Sequence, residues 1–180
     1  LDCRPTGTLT ARRLVMDESV LSDLLQNQGD RQFWLKTTGD PARVAETGSV
    51  FDQPNVRVEF NLEPTDVRVG DVIILYRIKV SKLTCVTECV SSPRRITAQE
   101  LQVEPWRERW PWSLETRNLT PEYGSVWNRH AFKPFSLARE YNVQHPNDQQ
   151  RLGALQFGRG RLKISRPFAE FLIQQILSAR

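Results

Sequence analysis

Histidine is nearly missing from this chain: His130 and His145 are the only two among 180 residues. Cysteine is scarce as well, with Cys3, Cys85 and Cys89 forming no paired spacing. A zinc site needs more ligands at closer spacing, so no metal is expected. Cys85 and Cys89 lie in a stretch read as one strand, about 13 Å apart at strand rise, too far for a disulfide. Reduced thiols are expected, and with them a cytoplasmic setting. No apolar run approaches the roughly 18–20 residues of a membrane span, and the first residues lack a signal-peptide core. No membrane partner is therefore expected. The acidic residues are scattered, and no Ser/His/Asp, Cys/His or paired-carboxylate set can be assembled from them. Gln156-Phe-Gly-Arg-Gly160 has the look of an acetyl-CoA loop but lacks the βαβ context such a loop needs. The chain is accordingly read as a non-enzyme without a cofactor.

Aromatic and basic residues, by contrast, are present and concentrated. Three of the five tryptophans fall in Trp106-Arg-Glu-Arg-Trp110-Pro-Trp112. A strand sends residues i and i+2 to one face, so Trp110 and Trp112 are expected to share a face, with Pro111 favouring an edge or loop. Tryptophans beside guanidinium groups suit a flat ligand, such as a base unstacked from a nucleic acid, although they also suit the closed end of a barrel core. The formal charge of +4 is a mild bias toward polyanions, of the kind that fades with salt. A hydrophobic fraction of 39% and a mean hydropathy of −0.49 describe a globular chain long enough for a full core.

The periodicities place the elements. Asp17 can cap a helix carrying Val20, Leu21, Leu24 and Leu25 on one face and stopping at Gly29. Gln32–Thr38 reads as a strand, and Asn55–Asn61 alternates as a half-exposed strand does. Gly70-Asp71 makes a turn into Val72–Tyr76, a β-branched run suited to burial on both faces, with Lys79–Val90 as its partner. Thr97-Ala-Gln-Glu100 fits a capping box opening a short helix. Ser113–Leu119 alternates again. Short helices are expected over Pro134–Tyr141 and Asn147–Leu155, then a closing strand Leu162–Ser165. A last helix starts near Pro167, with Phe168, Phe171, Leu172 and Ile176 on its apolar stripe. Strands dominate the middle and helices flank it, which is an α+β arrangement: a small curved barrel with peripheral helices.

The order of these landmarks resembles the EVE domain of the PUA-like superfamily, which also contains the YTH and ASCH modules. The opening strand Phe33-Trp34-Leu35-Lys36-Thr37-Thr38, the Gly70-Asp71 turn into a strand ending at Tyr76, the Trp110-Pro111 pair and the tail from Leu155 to Ser165 carry the likeness. It covers roughly Gln32 to Ile176. The Ser-Glu-Pro that follows the first lysine in EVE domains is replaced here by Thr37-Thr-Gly-Asp-Pro41. The resemblance implies a lead-in with a short helix over residues 1–30 and an EVE-type domain over 31–180. It implies a module that reads a modified base flipped from a nucleic acid, DNA in preference to RNA as the target, with a nuclease partner in a restriction or defence system. Lys36, Thr37, Thr38 and Tyr76 would then line the base pocket, with Trp110 and Trp112 as stacking groups. Trp127 and Asn128 form a second aromatic–polar pair able to meet a base edge. Arg94, Arg95, Arg107, Arg109, Arg159 and Arg161 are candidate phosphate contacts. Two alternatives stand beside this reading: an RNA-hydrolysing domain using Lys36 with Thr37, and a peptide or small-ligand module using the tryptophans.

Overall fold

The computed structural model describes residues 29–38, 53–77, 82–121, 133–155 and 160–178. Apart from residues 29–31 these belong to the compact unit Gln32–Arg180. The expected helix after Asp17, like Cys3, lies outside the described residues.

Seven strands follow in chain order: β1 (Phe33–Thr38), β2 (Asn55–Phe60), β3 (Val72–Arg77), β4 (Lys82–Cys89), β5 (Arg94–Arg95), β6 (Trp112–Asn118) and β7 (Arg161–Ile164). Helices α1 (Ala98–Val103), α2 (Pro134–Gln144) and α3 (Arg166–Leu177) join them, with 3₁₀ turns at Pro105–Arg109 and Leu152–Leu155. The strands form one sheet in the order β2-β6-β4-β3-β1-β7. β1 runs parallel to β3, and all the other pairs are antiparallel. β4 covers the far half of β6 while β5 covers its start, so the chain turns a corner between Cys89 and Arg94. At that corner the Val90 amide donates to the Glu115 carbonyl (3.0 Å), and the Ser91 hydroxyl accepts from the Glu115 amide (2.9 Å). A side-chain oxygen thus replaces a ladder acceptor where the strand bends.

Period-2 alternation explains which residues go inside. Trp34, Val56, Val58, Phe60, Ile73, Leu75, Cys85, Cys89 and Leu114 make one cluster within the curl of the sheet. Phe33, Leu35, Val72 and Ile74 point to the other face and are equally buried. α3 supplies Phe168, Leu172, Ile173 and Ile176 and packs against β1 and β4. The expectation that β3 is buried on both faces is therefore met. A bulge between Leu75 and Tyr76 shifts the register with β4, and the Thr84 hydroxyl donates to the Leu75 carbonyl (3.2 Å) to cover the irregularity. Cys85 and Cys89 are both buried and are not joined in a disulfide.

The sheet is strongly curled. β2 and β7 stand at opposite ends of the strand order, yet the Arg161 guanidinium of β7 lies over the Phe60 ring of β2, 5.8 Å from its centroid. Arg161 also pairs with Asp66, just past β2, at 2.7 Å. The half-barrel thus has a seam where its two edge strands are bridged by side chains.

Two local devices hold this shape. Gly70 takes a φ of 89°, which only glycine adopts readily, and its amide donates to the Cys89 carbonyl (2.8 Å). The buried Asp71 carboxylate then accepts from the Gln32 amide (3.0 Å), the Gln32 side chain (3.3 Å), the Trp34 indole (3.0 Å) and the Arg68 amide (2.9 Å). On the far side, Arg107 is 0% exposed and its guanidinium meets Glu59 (3.0 Å), Glu100 (3.4 Å) and Glu104 (3.4 Å). Glu104 in turn pairs with Arg57 (2.9 Å) and Glu100 with Arg94 (2.7 Å), so α1 and the turn after it are pinned to β2 by charge.

Expected and observed elements agree for the strands, the Thr97 capping box and the last helix, which Ser165 caps ahead of Pro167. The helix expected over Asn147–Leu155 is instead a turn followed by a 3₁₀ turn at Leu152–Leu155. The local side chains compete for the backbone there. The Asn142 side chain accepts from the Gln150 amide (2.7 Å), and Asp148 accepts from Tyr141 (2.6 Å), Ser165 (2.5 Å) and the Gln150 side chain (2.8 Å).

Candidate functional site

The seam gathers the chemistry. In β1, Trp34 and Lys36 face the interior because their partners Ile73 and Leu75 do. Lys36 has only 6% of its surface exposed. Its Nζ lies over the Phe60 ring, 5.1 Å from the centroid, and donates to the Thr37 carbonyl, its one hydrogen bond among the described residues. Arg161 stands directly opposite Lys36 across the β1–β7 ladder, so two cations lie against one aromatic ring. Like charges placed this way repel. Burial lowers the pKa of Lys36 to about 8; Glu59 opposes that fall and Arg161 adds to it. Glu59 itself is pushed up by burial, against the pull of Arg107.

Gly160 closes the site from the start of β7. Its carbonyl accepts from both the amide (2.7 Å) and the hydroxyl (2.9 Å) of Thr37. Its φ is +67°, and an added Cβ would lie 3.6 Å from Thr37 Oγ1 and 3.7 Å from Lys36 Nζ, in ordinary contact. Space is therefore available but the backbone conformation is not. Gly160→Ala is expected to cost about 1–2 kcal/mol in chemical denaturation, from left-handed strain alone.

The candidate base-binding residues separate. Lys36 and Trp112 belong to the inner face: Trp112 lies opposite Phe60 in the β2–β6 ladder and packs, half-buried, against the core. Thr37 and Tyr76 are partners on the opposite face, where Tyr76 meets Phe135 edge-on at 6.2 Å. Tyr76 alternates away from the side that Lys36 faces, whereas Thr37 Oγ1 and Lys36 Nζ both lie within 4 Å of the Cβ position at Gly160 (3.6 and 3.7 Å). Thr38 ends β1, half-buried, with its hydroxyl 3.4 Å from the Tyr76 carbonyl. Trp110 lies outside the strand that carries Trp112. It terminates the 3₁₀ turn Pro105–Arg109 and packs edge-to-face on Trp106 at 6.2 Å, because β6 begins only at Trp112. Trp127, Asn128 and Arg159 lie outside the described residues.

The arginines divide as well. Arg107 cannot contact a phosphate: it is buried and surrounded by three carboxylates. Arg94 forms a double hydrogen bond to Glu100 (2.7 and 2.9 Å), and Arg161 is held by Asp66. Arg95 and Arg109 are exposed, with Arg109 over the Trp110 ring at 5.4 Å.

Phe60, Glu59 and Asp71 were not singled out from sequence as functional. Phe60 was legible only as an apolar position of an alternating strand, and nothing local joins positions 36, 60 and 161. Chemically, the seam offers hydrogen-bond donors with positive charge at Phe60, whose ladder partner is Trp112. Phe60 holds the two cations, so its ring is not a free stacking face. Among the described residues no group of acidic, histidine and cysteine side chains could hold a metal ion, and no helix is long and apolar enough to cross a membrane.

No protein-family model and no curated protein matches this sequence. Solved structures do match the fold. A hypothetical protein from Leishmania major superposes with a TM-score of 0.53 at 11% identity, over 82% of this chain and 95% of that one. The YTH domain of the Zygosaccharomyces rouxii MRB1 protein, solved in complex with N6-methyladenosine RNA, superposes with a TM-score of 0.50 at 12% identity, over 84% of this chain and 87% of that one. With its strongly curled half-barrel and flanking helices, the chain shares the fold of that YTH domain.

Proposed function

We propose that this protein is a nucleic-acid-binding module of EVE type that reads a modified base at the seam of its half-barrel. The observation that carries the reading is the fold shared with a YTH domain that was solved holding N6-methyladenosine RNA. The seam is suited to such a ligand. Lys36 keeps donors and positive charge in a water-poor position in β1, and half-buried Trp112 lies on the same inner face as the ladder partner of Phe60, the ring that Lys36 overlies. A flipped base costs a few kcal/mol of unstacking, which stacking of roughly 1–3 kcal/mol offsets in part. The protein binds without catalysis in this reading, in the cytoplasm, and a nuclease partner would supply any cleavage. The EVE resemblance favours DNA whereas the solved neighbour holds RNA, so methyladenine in the two polymers is the deciding pair.

The test is fluorescence anisotropy at two salt concentrations, with matched oligonucleotides carrying unmodified adenine, N6-methyladenine in DNA and in RNA, 5-methylcytosine or 5-hydroxymethylcytosine. The expected result is a preference of tenfold or more for one modified base, about 1.4 kcal/mol, lost in Trp112→Ala. Equal, salt-sensitive binding to every oligonucleotide, or none to any, would overturn the reading.

A further inference from the structure

Where β1 meets the start of β7, the backbone leaves a niche that no described side chain fills. The register that sets Lys36 opposite Arg161 continues by one step, since the Thr37 amide donates to the Gly160 carbonyl (2.7 Å). Cross-strand neighbours ordinarily pack side chain against side chain. Gly160 brings none to its end of the pair. Among the described residues, a Cβ placed there would meet two atoms within 4 Å, and both are polar: Thr37 Oγ1 (3.6 Å) and Lys36 Nζ (3.7 Å). Lys36 and Thr37 are each 6% exposed whereas Gly160 is half-buried, so the glycine is the most accessible wall of the niche.

The two polar atoms offer opposite things. The Thr37 hydroxyl spends its one proton on the Gly160 carbonyl (2.9 Å), which leaves its oxygen as an acceptor. Lys36 Nζ is donor-only while charged, and it gives one hydrogen bond, to the Thr37 carbonyl. A group that satisfies both must accept from the nitrogen and donate to the oxygen. A hydroxyl does so. A methyl does neither, a carbonyl or phosphate oxygen has no proton for Thr37, and an amino group turns another donor toward Lys36. We infer that the niche at Gly160 takes a hydroxyl of the bound nucleotide, which accepts from Lys36 Nζ and donates to Thr37 Oγ1 and so decides which nucleotide is held. This rests on the seam as the nucleotide site proposed above. The ribose 2′-hydroxyl and a hydroxymethyl group on the base share this chemistry.

Two pairs of oligonucleotides, each differing by a single hydroxyl, separate the sources. One pair is N6-methyladenine RNA and the same RNA with a 2′-deoxy sugar at the methylated nucleotide; the other is DNA with 5-hydroxymethylcytosine or 5-methylcytosine. Anisotropy, with unmodified counterparts alongside, is expected to show about tenfold or tighter binding of the hydroxyl-bearing member in one pair, because its absence leaves a buried donor and a buried acceptor unpaired. A preference in the first pair assigns the ribose hydroxyl, and in the second the base substituent. The ratio should collapse to about twofold or less in Gly160→Ala, whose methyl occupies the niche, and in Thr37→Val, which removes the acceptor at similar size, while Thr37→Ser keeps it. Because a ratio is read, any loss common to both members of a pair cancels. Equal binding within both pairs, by a wild type that still prefers a modified base, overturns the hydroxyl niche and leaves the reader standing. A ratio that survives in both Gly160→Ala and Thr37→Val places the hydroxyl elsewhere and overturns it as well. A ribose preference indifferent to methylation, yet lost in both variants, supports the niche and sinks the modified-base reading. Equal binding of every oligonucleotide overturns both.

Discussion

Asp71→Ala is expected to lower the unfolding free energy by about 3–5 kcal/mol, enough to unfold much of the population of a typical domain at 37 °C. The carboxylate is 2% exposed and accepts four hydrogen bonds, three of them from groups of Gln32 and Trp34. Alanine leaves the buried Trp34 indole and the part-buried Gln32 and Arg68 amides without this acceptor, while the Gln32 side chain keeps the Asp66 carbonyl (3.0 Å), and a buried donor stripped of a charged partner costs more than the bond itself contributed. The loss also spreads through the backbone. The Asp71 carbonyl accepts from the Cys89 amide (2.8 Å), and Val72 donates to the Gln32 carbonyl (3.0 Å), so this turn ties β1 and β4 to β3. Trp34→Phe removes only the indole donor and keeps most of the apolar volume, so its cost should be near 1 kcal/mol. Urea denaturation of both variants checks the ordering. An Asp71→Ala protein no less stable than Trp34→Phe would show that the turn is held by its backbone bonds and not by the carboxylate.

That turn was legible from sequence as Gly70-Asp71, since glycine followed by aspartate before a β-branched run has few other uses. The strands were legible for a similar reason: an alternating or wholly apolar run states its own burial, and the Thr97-to-Glu100 capping box is read within a single turn. The site was much less legible. Lys36 sits in an apolar strand, and its placement next to Tyr76 in one expected pocket ignored that a one-residue step reverses the face. Trp110 and Trp112 were assigned to one face on the assumption of a strand that in fact begins at Trp112. Arg107 looked like a surface cation, and only the folding of Glu59, Glu100 and Glu104 around it makes it a core residue. Each of these depends on contacts between positions far apart in the chain, and the meeting of Phe60 with Arg161 depends on the curl of the whole sheet. Local pattern carries no record of such closure.

The same burial makes Lys36→Met the sharpest test of the seam, because stability and binding should move in opposite directions. An unfolded lysine holds its proton up to pH 10.5, whereas the folded Lys36 holds it only to about 8, chiefly through burial. Between those values the unfolded chain binds more protons, so the stability of the wild type rises with pH across that window. Below pH 8 the full penalty of the buried charge is present, and the fall from 10.5 to about 8 corresponds to roughly 3 kcal/mol. Methionine fills a similar volume without a charge and removes the repulsion with Arg161, while Glu59 keeps Arg107. The variant should therefore be the more stable protein at pH 7, by up to about 3 kcal/mol, with the difference narrowing above pH 8 and closing as the pH passes 10.5. Tyr141, pushed up to about 12 by burial and by its hydrogen bond to Asp148, gives stability that is lost as pH climbs past 10. It does so equally in both proteins and cancels in their difference. Binding of the preferred modified oligonucleotide should fall at least about tenfold in the same variant. A Lys36→Met protein that is less stable at pH 7 would mean the charge is held favourably inside the seam. One that is more stable yet binds as before would move the ligand away from Lys36. The combination of a firmer fold with lost binding is what a buried charge retained for its ligand predicts.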